Sequence, residues 1–257
     1  MASSLVRVER ATGVARVTLN QPPLNLVDPG LIDALADTFA HLAGEPSVRL
    51  AVLTGSGRAF CAGMNVHVLR ALDVSGAKAL ITRLQRAIGL VHAAPFPVVG
   101  AVNGAALGAG FELALACDLR VAVSGALLGL PEVRVGVPSV IEAALLPSMV
   151  GSGRAAELLL SGEPVTADEA LAWGLVNRVV PAAELEDAVE RVVDTVLAGG
   201  PSAVRLQKEL IVRWRQTDLA TAVQLGINAF ATAYATGEPQ EGAAAFVEKR
   251  PARWRRL

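Results

Sequence analysis

The chain has few cysteines and no surplus of charge of either sign. Its two cysteines, Cys61 and Cys117, cannot build a disulfide framework. Their surroundings are typical of small packing positions and do not show the spacing of metal ligands. A formal net charge of −1 leaves no basic excess for binding nucleic acid or a membrane surface. We therefore expect reduced thiols, no bound metal, and neither nucleic acid nor a membrane as partner.

A long apolar run is also missing. No stretch of about 18 residues is both apolar and free of charge, so the sequence predicts no membrane-spanning helix. Residues 1–5 lack the charged start and apolar centre of a secretory signal. With 53% hydrophobic residues, the 257-residue chain can bury one large core, or a core plus a smaller accessory domain. These features predict a globular cytoplasmic protein.

Histidine, the commonest metal ligand and proton shuttle, occurs at only three positions. His41, His67 and His92 share no metal-ligand spacing. We interpret each as a surface or rim residue rather than as a ligand or a base.

The most informative stretch covers residues 97–118 and reads PVVGAVNGAALGAGFELALACD. Its start is typical of a strand buried on both faces, and a glycine-rich turn then leads into a predicted helix. Bare backbone lets a ligand approach, and the first N–H groups of a helix attract negative charge. Glu112 follows in the first helical turn. The loop thus offers an electrophilic pocket and a carboxylate base for chemistry beside a carbonyl. The alternative is a packing turn in which Glu112 is only a helix-start charge.

A second loop, at residues 55–65, repeats this organisation. It follows an apolar strand predicted at residues 50–54 and contains Gly63 before an expected helix start. Met64 would then offer an unpaired backbone N–H. Two such loops together predict a two-donor pocket for a carbonyl oxygen that gains charge.

Five segments, in this order, resemble the crotonase, or enoyl-CoA hydratase/isomerase, family. They read RAFCAGMN at 58–65, AVNGAALGAGFELALACD at 101–118, PE at 131–132, ALAWGLVN at 170–177 and EGAAAFVEKR at 241–250. They span nearly the whole chain, which makes the resemblance more specific than one glycine-rich loop. It implies an α/β fold, with a spiral of ββα units and the acyl-CoA site in residues 1–196. A helical trimerisation segment would follow in residues 197–257.

The resemblance also implies a site. It places the oxygen of an acyl-CoA thioester on the backbone N–H groups of Met64 and Ala109, where Ala109 replaces a frequent glycine of the family. Glu112 and Glu132 would be the catalytic pair of a hydratase of fatty acid metabolism, a lyase that adds water across the 2,3 double bond of a trans-2-enoyl-CoA. Further substrate contacts would come from Ala62, Gly63, Gly108 and, near a CoA phosphate, Lys249. No separate cofactor is implied, because coenzyme A is part of the substrate.

Residues 137–147, VPSVIEAALLP, depart from the glycine-rich pattern of many hydratases. Ser139 and Glu142 have the spacing of a capping box, so we predict a structural role for Glu142. The departure leaves open an isomerase, or another crotonase-type lyase, that uses Glu132 alone. A non-catalytic acyl-CoA-binding or RNA-binding member is a further alternative, but the presence of both glutamates argues against it.

The last part of the chain predicts an assembly surface. Leu219, Val223, Leu225 and Phe230 form apolar faces that so thin a helical segment cannot cover alone. In the resemblance these helices lie between the subunits of trimers, commonly paired into hexamers. The sequence does not define the acyl chain of the substrate.

Overall fold

The structure, a computed structural model, describes residues 4–256 and contains two sheets. The strands are β1 (Val6–Ala11), β2 (Val14–Leu19), β3 (Leu50–Gly55), β4 (Ala59–Cys61), β5 (Val98–Val102), β6 (Ala105–Leu107), β7 (Leu119–Val123), β8 (Leu127–Gly129), β9 (Val165–Thr166) and β10 (Arg178–Val180). The larger sheet has the order β1-β2-β3-β5-β7-β10 and the smaller β4-β6-β8-β9. Pairing is antiparallel in β1–β2 and β8–β9, and parallel elsewhere in these sheets.

Helices follow these strands in a repeating order. They are α1 (Pro29–Ala43), α2 (Val66–Leu69), α3 (Val74–His92), α4 (Ala109–Ala116), α5 (Leu146–Val150), α6 (Ser152–Ser161), α7 (Ala167–Ala172), α8 (Leu185–Leu197), α9 (Pro201–Trp214), α10 (Leu219–Ala233) and α11 (Glu238–Val247). The strand pairs β3–β4, β5–β6 and β7–β8 each place their first strand in the larger sheet and their second in the smaller one. The predicted α/β spiral of ββα units is therefore confirmed.

Both faces of the larger sheet are covered, which explains why its strands are almost uniformly apolar. On one face, α1, α3 and α4 contribute to a core that contains the fully buried Phe39, Phe60 and Phe111. On the other face, α8 packs its valines and Ala188 against residues of β3, β5 and β7. All eight residues of α4 are buried. The helix that carries Glu112 is therefore a fixed element of the core.

A buried ion pair ties the first C-terminal helix to this core. Lys208 of α9 is 4% exposed, and its Nζ donates to Asp118 Oδ1 at 2.6 Å and to the His92 carbonyl at 2.8 Å. Helix α10 then packs along α9, where Trp214 Nε1 donates to the Ala222 carbonyl at 3.0 Å. The division of the chain at residues 196 and 197 stays a prediction.

The apolar face of α10 differs by one residue from the prediction. Leu219, Val223 and Phe230 are exposed, with 80%, 55% and 69% of their surface accessible, whereas Leu225 is half-buried. Ile227, which is 56% exposed, replaces Leu225 in the exposed row, because it lies four residues after Val223 on the same side of the helix. Within residues 4–256 we find no helix with the length and apolar character needed to cross a membrane.

The predicted capping box at Ser139 and Glu142 is wrong. Glu142 begins a 3-10 turn, Glu142–Leu145, which has Ile141 as its N-cap residue and no side-chain cap. The Glu142 side chain instead points inward and lies with Oε2 3.1 Å from His92 Nδ1. The interpretation of His92 as a surface residue is also wrong, because its side chain is only 12% exposed. The side chain of His41, at 75%, is on the surface as expected.

Candidate active site

The two glycine-containing loops predicted from the sequence lie directly against each other. Strand β4 pairs with β6, so the ends of both strands reach the same place. A Cβ atom on Gly110 would lie 2.0 Å from the Cys61 carbonyl oxygen, and one on Gly63 would lie 2.9 Å from the Leu107 carbonyl oxygen. Gly63 also has a φ of 96°, which side chains rarely allow. Glycine at these two positions is therefore a condition for the contact between the loops.

Met64 and Ala109 each present a backbone N–H at this contact. Met64 forms a parallel bridge with Val27, in which the N–H groups of Val27 and Asn65 are the donors, so the N–H of Met64 points away. Ala109 is the first residue of α4, where an N–H has no acceptor within the helix. In the part of the chain that the structure describes, neither N–H donates a hydrogen bond. Met64 is partly buried and Ala109 is 6% exposed, and a buried donor is rare without an ordered partner.

Asn25 shapes the first loop and was missed by the sequence analysis. It is fully buried, and its Nδ2 donates to the carbonyls of Ser56 and Ala59 at 2.9 Å and of Phe60 at 3.1 Å. Its φ of 51° is left-handed, a conformation that asparagine tolerates. The signal available in the sequence was the run PPLNL at residues 22–26, in which the asparagine lies between two leucines.

Glu112 lies in the first turn of α4 and is 2% exposed. Its Oε1 accepts from the backbone N–H of Ile141 at 2.8 Å and of Ala143 at 3.3 Å. Burial raises the pKa of Glu112 from 4.5 to about 7, and the nearby Glu132 and Glu142 carboxylates add to this effect, while the two N–H donors oppose it. Near neutral pH the group can therefore exist in either protonation state, which suits a proton-transfer role.

Glu132 lies opposite, in the 3-10 turn Pro131–Val135 that follows β8. Its Oε1 is 3.1 Å from the position that a Cβ atom on Gly108 would take, so it faces the start of α4. Burial raises the pKa of Glu132 as well. Oε2 of Glu132 and the Ser139 hydroxyl are buried and do not meet hydrogen-bond geometry, so we regard Ser139 as a neighbour rather than a donor.

The structure thus gathers most of the residues that the sequence analysis selected. Met64, Ala109, Glu112 and Glu132 surround one small region, together with Ala62, Gly63 and Gly108 of the two loops. Lys249 is exposed just after α11, and its place near the substrate stays a prediction. No group of three or more His, Cys, Asp or Glu residues within positions 4–256 is placed to hold a metal ion.

A narrow apolar cavity lies behind Ala109. Helix α3 contributes Leu84 and Ile88, helix α4 contributes Leu113, and the remaining wall comes from β2, α1 and Val27. Its volume is about 10 Å³, close to that of one water-sized sphere.

The burial of Glu112 predicts that this residue reduces stability. A rise of its pKa from 4.5 to about 7 means that the folded state disfavours the ionised form by roughly 3 kcal/mol. Glu112→Gln removes this penalty and can still accept from Ile141 N–H. We expect the variant to match the wild type near pH 4.5, to gain relative stability as the pH rises to about 7, and to keep the gain above that. Chemical denaturation across this pH range measures the free energy of unfolding of both proteins. A wild type that is more stable than the variant at alkaline pH would contradict the prediction.

Comparison with known proteins identifies the family of the chain. Residues 9–256 match the family described as enoyl-CoA hydratase/isomerase. The chain is 36% identical over 255 residues to a crotonyl-CoA hydratase from Syntrophomonas wolfei, covering 98% of both chains. It is 34% identical over 251 residues to a short-chain-enoyl-CoA hydratase from Clostridium acetobutylicum, covering 95% of both. The crystal structure of an enoyl-CoA hydratase from Mycobacterium smegmatis superposes with a TM-score of 0.95 at 34% identity, over 98% of this chain and 100% of that one.

The match covers nearly all of the chain in both sequence and structure. The chain therefore belongs to the enoyl-CoA hydratase/isomerase, or crotonase, family.

Proposed function

We propose that the protein is an enoyl-CoA hydratase, which adds water across the 2,3 double bond of a trans-2-enoyl-CoA to give a 3-hydroxyacyl-CoA. The observation that carries the proposal is the pair of buried carboxyl groups, Glu112 and Glu132, each with a raised pKa. The relatives named crotonyl-CoA hydratase and short-chain-enoyl-CoA hydratase support the same reaction.

The two loop donors would activate the substrate. In the proposed complex the thioester oxygen accepts hydrogen bonds from the N–H groups of Met64 and Ala109. Attack at C3 moves electron density through C2 towards this oxygen, so both hydrogen bonds strengthen as the transition state forms. Removing one such donor typically costs about 2.7–4 kcal/mol of transition-state stabilisation.

The glutamates would supply and remove the protons. Ionised Glu112 takes a proton from water as the water oxygen bonds to C3, and protonated Glu132 delivers a proton to C2. The net change is the addition of one water, after which a proton passes from Glu112 to Glu132 to restore the starting state. Two carboxyl groups that interact in a buried site favour one ionised and one protonated member.

The cavity, the relatives and the cysteines bear on the substrate and on the cellular location. The small apolar cavity behind Ala109, together with the names of the relatives, favours a short acyl chain. Coenzyme A is part of that substrate, and the reaction needs no separate cofactor. Two buried free cysteines suit a reducing compartment, so we propose the cytoplasm as the location.

An isomerase that uses Glu132 alone is the second candidate. The observation in its favour is that Glu132 Oε2 is buried without a hydrogen-bond partner, while Glu112 is held by two N–H groups. Such an enzyme would move the double bond of a 3-enoyl-CoA and would not need water.

Substitution of the two glutamates separates these candidates. We expect Glu112→Gln and Glu132→Gln each to lower the hydration of a short trans-2-enoyl-CoA by about 10²–10⁴-fold, because each removes one proton-transfer group. The exposed Glu209→Gln is the matched control. Near-normal hydration in either variant would remove that residue from the mechanism. Consumption of 3-enoyl-CoA that survives Glu112→Gln and is lost in Glu132→Gln would establish the isomerase instead.

Lys249 is proposed to bind a phosphate of coenzyme A. Such a contact is remote from the reacting atoms and is equal in ground and transition states, so Lys249→Ala should raise KM and leave kcat nearly unchanged. The effect should shrink with a pantetheine thioester, which lacks the nucleotide phosphates, and at high salt. Arg191→Ala, at an exposed cation of α8, is the control. An equal loss of affinity for both thioesters would disprove the phosphate contact.

The exposed apolar row on α10 is proposed to lie between the subunits of a homotrimer or of a hexamer built from two trimers. Phe230→Asp places a charge in this row and should dissociate the assembly, because a buried charge needs a partner. Gln224→Asp adds the same charge at an exposed polar position of the same helix and should not. Sedimentation velocity measures both, and a wild type that sediments as a monomer would refute the proposal.

A further inference from the structure

Glu142 occupies a position that the proposed reaction does not explain. Its side chain is 11% exposed, and its Oε2 lies 3.1 Å from Nδ1 of His92, which is 12% exposed. Glu142 is also the residue between Ile141 and Ala143, whose backbone N–H groups both donate to Glu112 Oε1. One residue thus connects the His92 contact with the backbone that holds the base.

His92 is itself fixed on several sides. It ends α3, and its carbonyl accepts from the buried Lys208 Nζ at 2.8 Å. Its Nε2 lies 3.4 Å from Arg215 Nη1. A guanidinium can only donate, so Nε2 is the acceptor, and Nδ1 carries the hydrogen that faces Glu142. This tautomer, inferred from the partners, makes His92 a donor to the Glu142 carboxylate.

Core packing and the Glu142 side chain both hold this segment. Ala143 is buried and Ile141 packs against the core, whereas residues 137–140 are irregular and the 3-10 turn Glu142–Leu145 has no side-chain cap. The inward side chain of Glu142 adds a fixed point between the Ile141 and Ala143 N–H groups. We propose that the Glu142–His92 pair positions the Glu112 carboxylate by holding these two donors in place.

Glu142 acts on Glu112 in two ways of opposite sign. Its negative charge raises the pKa of Glu112, whereas the Ile141 and Ala143 donors that it anchors lower that pKa. Substitutions at position 142 can separate the two effects. Glu142→Gln removes the charge and keeps an oxygen that can accept from His92 Nδ1, while Glu142→Ala removes both the charge and the anchor. Glu142→Asp keeps the charge but is too short to reach His92 in the same way.

The test measures the protonation of Glu112 directly. Infrared difference titration of each protein against the same protein carrying Glu112→Gln isolates the Glu112 carboxyl band and gives its pKa without any turnover. The anchor predicts a higher Glu112 pKa in Glu142→Ala than in Glu142→Gln, and a higher one in Glu142→Asp than in the wild type. Both variants in the first comparison lack the charge at position 142, and both proteins in the second comparison keep it. The second comparison remains available if Glu142→Ala does not fold.

Kinetics provide the second measurement, and only this arm rests on the proposed hydratase function. A misplaced base should lower kcat of Glu142→Ala and Glu142→Asp by about 10- to 100-fold with little change in KM, because neither side chain touches the substrate. Glu142→Gln should stay close to the wild type. Glu169→Ala, which removes the side chain that closes the remote capping box of Thr166 and Glu169, is the stability control and should not move the Glu112 pKa.

Three results would overturn the inference. Equal Glu112 pKa values in Glu142→Ala and Glu142→Gln would mean that only the charge of Glu142 matters. An unchanged Glu112 pKa in Glu142→Asp, with a lower melting temperature like that of Glu169→Ala, would mean that the Glu142–His92 contact is purely structural. A kcat that falls equally in Glu142→Gln and Glu142→Ala would mean that the carboxylate itself is required. If the wild type hydrates no enoyl-CoA, the hydratase proposal fails, while the infrared comparison still decides the role of Glu142.

Discussion

The close contact between the two glycine-containing loops is the constraint on which the site depends. A side chain at Gly110 would overlap the Cys61 carbonyl, and one at Gly63 would press on the Leu107 carbonyl. The contact sets the separation between the N–H groups of Met64 and Ala109, because each follows its loop directly. It also sets the start of α4, and therefore the position of Glu112 one turn later. Backbone packing, together with the Asn25 hydrogen bonds to the first loop, thus defines the proposed oxyanion pocket.

Burial of Glu112 is the second constraint, and it opposes stability. All of α4 is in the core, so the carboxyl group has lost most of its water, and its pKa has risen to about 7. Fully compensating the charge with strong donors would return the pKa towards 4.5 and would make Glu112 a weaker base. The structure supplies two backbone N–H groups, of which the one from Ala143 is long at 3.3 Å. This partial compensation keeps the pKa of Glu112 near neutral pH, and it lowers the stability of the folded state.

The sequence predicted those parts of the protein that short segments determine. The loop before α4 and the position of Glu112 both depend on neighbouring residues, and the structure contains both of them. Side-chain partners distant in sequence were not predictable in this way. Glu142 and His92 are fifty residues apart, and the spacing of Glu142 from Ser139 was equally compatible with a capping box. Asn25 was missed for the same reason, since its three acceptors lie beyond residue 55.

These long-range partners connect the C-terminal helices with the site. Lys208 of α9 holds the His92 carbonyl, and Arg215, the C-cap residue of the same helix, faces the His92 ring. His92 in turn contacts Glu142, next to the donors of Glu112. Helix α10, with its exposed apolar row, packs on α9. An assembly that covers this row would therefore stabilise the helix that fixes His92. In the fold, the proposed subunit interface and the proposed base are thus connected through helix α9, His92 and Glu142.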